Sequence, residues 1–104
     1  MPRWLNRVVG RIRRMATTGQ VRFTTKAREE IALLGPPFDR DECLQVLMSL
    51  HPDQFIRRVW SEQTLEWLYV FRSHVHEVSL YVKLALRQGC FVISFHVEEG
   101  DHAD

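Results

Sequence analysis

The stretch Leu80-Tyr81-Val82-Lys83-Leu84-Ala85-Leu86, followed by Arg87-Gln88-Gly89 and then Cys90-Phe91-Val92-Ile93-Ser94-Phe95-His96-Val97, reads as two strands joined by a tight turn. Alternate residues of a strand share a face, so Leu80, Val82, Leu84 and Leu86 belong together, as do Phe91, Ile93, Phe95 and Val97. A two-residue turn at Gln88-Gly89 pairs Arg87 with Cys90, and Leu84 then meets Ile93 while Leu86 meets Phe91. The same register sets Tyr81 opposite His96 and Lys83 opposite Ser94 on the other face. Opposed side chains there have Cβ atoms about 5 Å apart, near enough for both to touch one small group.

Working outward, Arg58 to Trp60 and Leu65 to Ser73 are also rich in β-branched and aromatic residues and predict strands, as does all of Val78 to Leu86. The sheet-rich half therefore covers about residues 58–97. Upstream the period changes. Leu5, Val8, Val9 and Ile12 define an amphipathic helix from Pro2 to about Arg14, with arginines on its back and Thr17, Thr18 and Gly19 ending it. A short extended piece, Val21 to Phe23, leads to Thr24 or Thr25 as the cap of a second helix, which stops at Gly35 before Pro36-Pro37. Asp39 with Glu42 resembles a capping box for a third helix carrying Cys43, Val46, Leu47 and Leu50. His51-Pro52 ends it, and Pro52 and Asp53 begin a short turn before Phe55 and Ile56. Helices first and strands later predict one α+β domain over 1–104, with helices of the N-terminal half packed on one face of a C-terminal antiparallel sheet.

The composition, with 45% of 104 residues apolar and 26% charged, excludes disorder and collagen and supplies a core that needs neither disulfide nor metal. No apolar run approaches the roughly 18 residues of a membrane span. Arg7, Arg11, Arg13 and Arg14 interrupt any signal-peptide core, and Cys43 and Cys90 read as reduced, packed thiols, so a cytoplasmic setting is expected. The net charge of +1 conceals a dipole. Residues 1–28 hold eight Lys/Arg and no acid, leaving six basic and thirteen acidic side chains elsewhere and an acidic tail over 98–104. Clustered arginine suits a polyanion or an acidic protein partner, and equally a solvated helix face.

RNA cleavage without a metal needs a base for the 2′-hydroxyl proton, an acid for the leaving 5′-oxygen, and cations against charge growing on phosphorus. His96 is the group on the Tyr81 face whose residue type titrates near neutrality, and it suits acid or base work. Tyr81 can orient the hydroxyl. Lys83, Arg72, Arg57 and Arg58 are candidate phosphate ligands, and Trp60, Trp67 or Tyr69 can stack a base. Against this, a Tyr and a His on an open sheet face are often plain surface residues, and Trp60, Trp67, Tyr69 and Phe71 read as mostly core. His74 and His76 lack a third ligand at suitable spacing, so no metal and no cofactor are expected. No phosphate-binding glycine loop or nucleophile elbow is present.

Taken together, Gly19-Gln20-Val21-Arg22, Thr24-Thr25, Phe38-Asp39, Asp53-Gln54-Phe55, Trp67, Leu80-Tyr81-Val82-Lys83 and Val92-Ile93-Ser94-Phe95 make about residues 19–97 resemble the MqsR family of motility quorum-sensing regulator toxins. The resemblance implies a RelE-like fold, sequence-selective cleavage of messenger RNA as an mRNA interferase, often at GC-containing triplets, and neutralisation by a cognate antitoxin. Carried over by position, the family's tyrosine falls on Tyr81 and its following lysine on Lys83. Its active-site lysine after Asp-x-Phe falls on Arg57 or Arg58. Its glutamine after tryptophan is Leu68 here, and the basic residue after Ser-Phe is His96. The expected activity is an endoribonuclease centred on Tyr81 and His96, with Arg57 and Arg58 beside them and Lys83, Arg72, Trp67 and Ser94 contacting RNA. Leu68 and His96 equally fit a noncatalytic regulator that binds RNA or antitoxin.

Overall fold

A computed structural model describes residues 2–98. Leu5, Val9 and Ile12 are buried along one side of α1 (Arg3–Thr17), while Arg3, Arg7, Arg13 and Arg14 stay exposed. The helix outlasts its expected end at Arg14 because Met15 and Ala16 are also buried, adding packing to its last turn. Gly19, at φ 76°, then takes a left-handed conformation that a side chain would strain. β1 (Val21–Phe23) follows. Thr24 caps α2 (Thr25–Leu34), its hydroxyl accepting from the Ala27 N–H, and Asp39 caps α3 (Arg40–Met48) by accepting from the Glu42 N–H. A 3-10 turn over Pro52–Gln54 leads into the sheet.

Four antiparallel-connected strands, β2 (Phe55–Ser61), β3 (Glu66–Val75), β4 (Val78–Leu86) and β5 (Cys90–Val97), form the C-terminal half. β1 adds a fifth strand parallel to β5, giving the order β1-β5-β4-β3-β2. The α+β class stands as expected, but the sheet is mixed rather than antiparallel throughout. Gly89 makes the added strand possible: the Cys90 N–H donates to the Gln20 carbonyl at 2.9 Å, and a Cβ at Gly89 would lie 3.2 Å from that oxygen. His76 and Glu77, at φ 50° and 61°, form the two-residue turn between β3 and β4, matching a type I′ hairpin.

The β4–β5 hairpin corrects part of the expected register. Leu86 pairs with Cys90, so the turn holds Arg87, Gln88 and Gly89 rather than two residues. A bulge follows: Leu84 pairs with Val92 but Lys83 with Ser94, leaving Ile93 as the extra residue. Cys90 and Val92, not Phe91 and Ile93, are consequently buried in the core. Beyond the bulge Phe95 faces the core as expected, but Val97 is 47% exposed.

The core lies between the helices and one face of the sheet, where Ile12, Leu47, Phe71, Leu80, Val82, Leu84 and Phe95 are wholly buried. Both thiols, Cys43 and Cys90, are free and buried, and burial pushes each up to about 12, with Asp39 and Glu42 adding to the rise at Cys43. A thiol so raised stays protonated and inert at neutral pH. Trp60 and Trp67 correct another expectation: they pack edge to face at 5.2 Å but remain 41% and 39% exposed near the β2 edge. Among the described residues no helix is long and apolar enough to cross a membrane.

One ion pair ties the turn to β3. Arg87 donates from Nε and Nη2 to the two oxygens of Glu66, at 3.0 and 2.7 Å, and these bonds hold the Glu66 carboxyl below its ordinary value of 4.5. Folding lowers this pKa, so the stabilisation is complete above the unfolded value and is lost as pH falls through the folded one. Glu66→Gln is expected to cost no more than about 1 kcal/mol near pH 7, as for other solvent-facing pairs. Urea denaturation should show that difference closing below about pH 4, in the acid range where the unfolded carboxylate titrates.

Candidate functional site

On the side of the sheet away from the helices, strand register places side chains in three rows. The first is Arg72, Tyr81 and His96; the second is Arg57, Val70, Lys83 and Ser94; the third is Val59, Leu68, Ala85 and Phe91, continuing to Arg22 on β1. Rows two residues apart on a strand are separated by about 7 Å. Val70 and Ala85 are fully buried beneath longer neighbours, giving the face an apolar floor.

Tyr81 and His96 meet as expected, their rings stacked at 4.9 Å between centroids and 15° between planes. The His96 Nδ1 lies 2.7 Å from the carbonyl oxygen of Val97. A carbonyl can only accept, so Nδ1 carries the proton and the neutral ring keeps its lone pair on Nε2. A hollow of about 400 Å³, lined by Glu30, Leu33, Leu34, His96 and Val97, adjoins the ring. The Lys83 ammonium stands 5.9 Å from the Tyr81 ring centroid. Arg72 donates from Nε and Nη2 to Glu98 at 2.5 and 2.6 Å. The Glu98 carboxyl is held below its usual range first by those bonds, with the Arg72 and Arg57 charges adding to the effect. Arg57 stands in the next row, opposite Val70.

Three expected site residues are not presented on the open face. Arg58 pairs with Tyr69, on the helix side, and its guanidinium sits 4.6 Å over the Trp4 ring and 4.2 Å over Trp67. A bulge between Phe55 and Arg57 sets that parity, sending adjacent arginines to opposite faces. Trp67 shares the helix side with Arg58. Ser94 lies on the open side but is 1% exposed, because Lys26 of α2 covers it and donates from Nζ to its hydroxyl at 2.7 Å.

Lys26 and Glu30 are the residues that reading the sequence missed. They form an i, i+4 pair at 3.1 Å along α2, and a Glu30 oxygen accepts from the Phe95 N–H at 2.9 Å. Thr24 continues this seam, its N–H donating to the Val92 carbonyl and its hydroxyl to that of Ile93. The spacing of Lys26 and Glu30 showed that they share a helix face, but only the β1–β5 pairing places that face along β5. Among the described residues no three His, Cys, Asp or Glu side chains come together as a metal site. His74 lies 3.2 Å from the Ser79 hydroxyl and His76 2.7 Å from Glu42.

A helix-backed sheet whose open face gathers lysine and arginine around a stacked phenol and imidazole defines a class: a small α+β domain with a basic open face. The sequence model of the family described as "Motility quorum-sensing regulator, toxin of MqsA" matches residues 8–97, and the chain belongs to that family of toxins. No curated protein matches it.

Proposed function

We propose that the protein is a metal-independent endoribonuclease acting in the cytoplasm on single-stranded messenger RNA, and that a cognate antitoxin neutralises it. The observation that carries this reading is the Tyr81–His96 stack with the His96 lone pair directed through Nε2. Nε2 takes the proton of the 2′-hydroxyl, whose oxygen attacks the adjacent phosphorus. The bond to the 5′-oxygen breaks, that oxygen takes a proton from solvent water and the imidazolium releases its own to solvent, leaving a 2′,3′-cyclic phosphate and a 5′-hydroxyl. The Tyr81 hydroxyl donates to a phosphate oxygen or orients the nucleophile. Lys83 and Arg57 offset charge developing on the phosphate, with Arg72 held beside them by Glu98.

These cations supply the charge stabilisation, so cleavage of a defined transcript should persist in EDTA. Expression of the wild-type chain should arrest growth, and the double variant Tyr81→Phe, His96→Ala should not. Equal arrest by both removes the proposed centre. The second reading, a noncatalytic binder, draws on Leu68, an apolar residue in the third row of the open face. It predicts RNA binding with steep salt dependence and no cut transcript.

A further inference from the structure

Where the third row leaves the open face, past Phe91 and Arg22, it enters a groove of about 730 Å³ between β1, α2 and the start of α3. Phe23 and Phe91 provide aromatic surface there, and Arg22, Arg28, Arg40 and Arg87 rim it. The Arg40 guanidinium lies 5.5 Å over the Phe23 ring and that of Arg87 4.6 Å over Phe91. Arg28 is fixed by donating to the Phe23 carbonyl at 2.9 Å and to the Thr25 hydroxyl at 3.3 Å. Glu66 neutralises Arg87, but among the described residues no carboxylate oxygen lies within ion-pair distance of Arg22, Arg28 or Arg40. The groove thus concentrates positive charge on an apolar, ring-lined floor.

We infer that this groove is a second RNA subsite, which holds the nucleotides flanking the scissile phosphate. The inference rests on the RNA reading of the open face and extends it. Two features favour a nucleic acid over an acidic peptide. The first is continuity: β5 carries the strand of RNA from His96 past Lys83 and Lys26 to Phe91, about 16 Å at roughly 3.3 Å per residue, room for a few nucleotides. The second is shape, since flat bases stack on aromatic rings and guanidinium planes while arginines at the rim meet phosphates. Arg3 and Arg7 of α1 do not extend this track, because they lie on the side of the helix opposite its buried stripe.

The test measures binding of a short, labelled, single-stranded 2′-O-methyl RNA, which cannot be cleaved by 2′-hydroxyl attack. Arg22→Glu with Arg40→Glu should raise Kd at least about tenfold at low salt and reduce the salt slope by about two phosphate contacts. Arg3→Glu with Arg7→Glu changes the net charge equally but lies outside the groove. It should alter Kd no more than about twofold near 0.1 M salt, where charges beyond about 10 Å are largely screened. Trimming the RNA to the nucleotides spanning the Tyr81 and His96 row should make the wild type and the groove variant bind alike. Wild-type affinity in the groove variant overturns the inference, and so do equal losses in the two variants. Loss of antitoxin neutralisation by the groove variant with RNA binding intact also overturns it, in favour of a protein-docking surface. The probe separates the two claims: groove-dependent binding without any cut transcript supports the subsite and sinks only the cleavage reading, whereas no binding by the wild type sinks both.

Discussion

His96→Ala is expected to slow transcript cleavage by about 10²- to 10⁴-fold, the range that a positioned acid–base group supplies. The loss should appear in kcat rather than KM, because the ring is adjacent to the transferred proton while Lys83 and Arg57 still hold the phosphate. His96→Lys places a cation at this position but supplies no imidazole lone pair, since lysine is charged at neutral pH. That variant should keep RNA affinity more than rate. Single-turnover cleavage beside an RNA-binding titration measures both. A His96→Ala enzyme as fast as wild type would make the Tyr81–His96 stack an ordinary surface contact.

Phe71→Ala should have the largest effect on stability. Phe71 is fully buried on β3, its ring edge-on to Phe55 at 5.6 Å, and its strand partner Val82 is equally buried. Emptying such a site costs about 3–5 kcal/mol, from lost transfer free energy and the cavity left behind. A domain of this kind has about 5–15 kcal/mol in total, so the variant should unfold at least about 10 °C lower, or fail to accumulate. Thermal unfolding followed by far-UV circular dichroism reports the shift. A loss under about 1 kcal/mol would mean that the β3 ring does not anchor the core between sheet and helices.

The pairing of Tyr81 with His96 was legible in the sequence although the turn beside it was not. Two unforeseen insertions cancel: the turn holds one residue more than Gln88-Gly89 alone, and Ile93 adds one residue to β5, so the register is restored at Ser94 and His96. Between those insertions Cys90, Phe91, Val92 and Ile93 are all apolar, and without alternation nothing in the residues tells one face from the other. The helix limits were easier to read because Thr24, Asp39 and Gly35 act through local backbone geometry. Arg57 and Arg58 remained interchangeable in sequence because a bulge, set by packing, decides which one faces the site. Lys26 and Glu30 lay beyond sequence reading for a related reason: their place beside β5 depends on a three-residue parallel strand, whose pairing is tertiary.

The ends of the cut RNA test the account most directly. A defined transcript cleaved in EDTA should yield 5′-hydroxyl and 2′,3′-cyclic phosphate termini, because an imidazole acting on the 2′-hydroxyl leaves no other primary product. Fragments carrying 5′-phosphate and 3′-hydroxyl would show water attacking in place of the 2′-oxygen and would contradict the chemistry assigned to His96 and Tyr81.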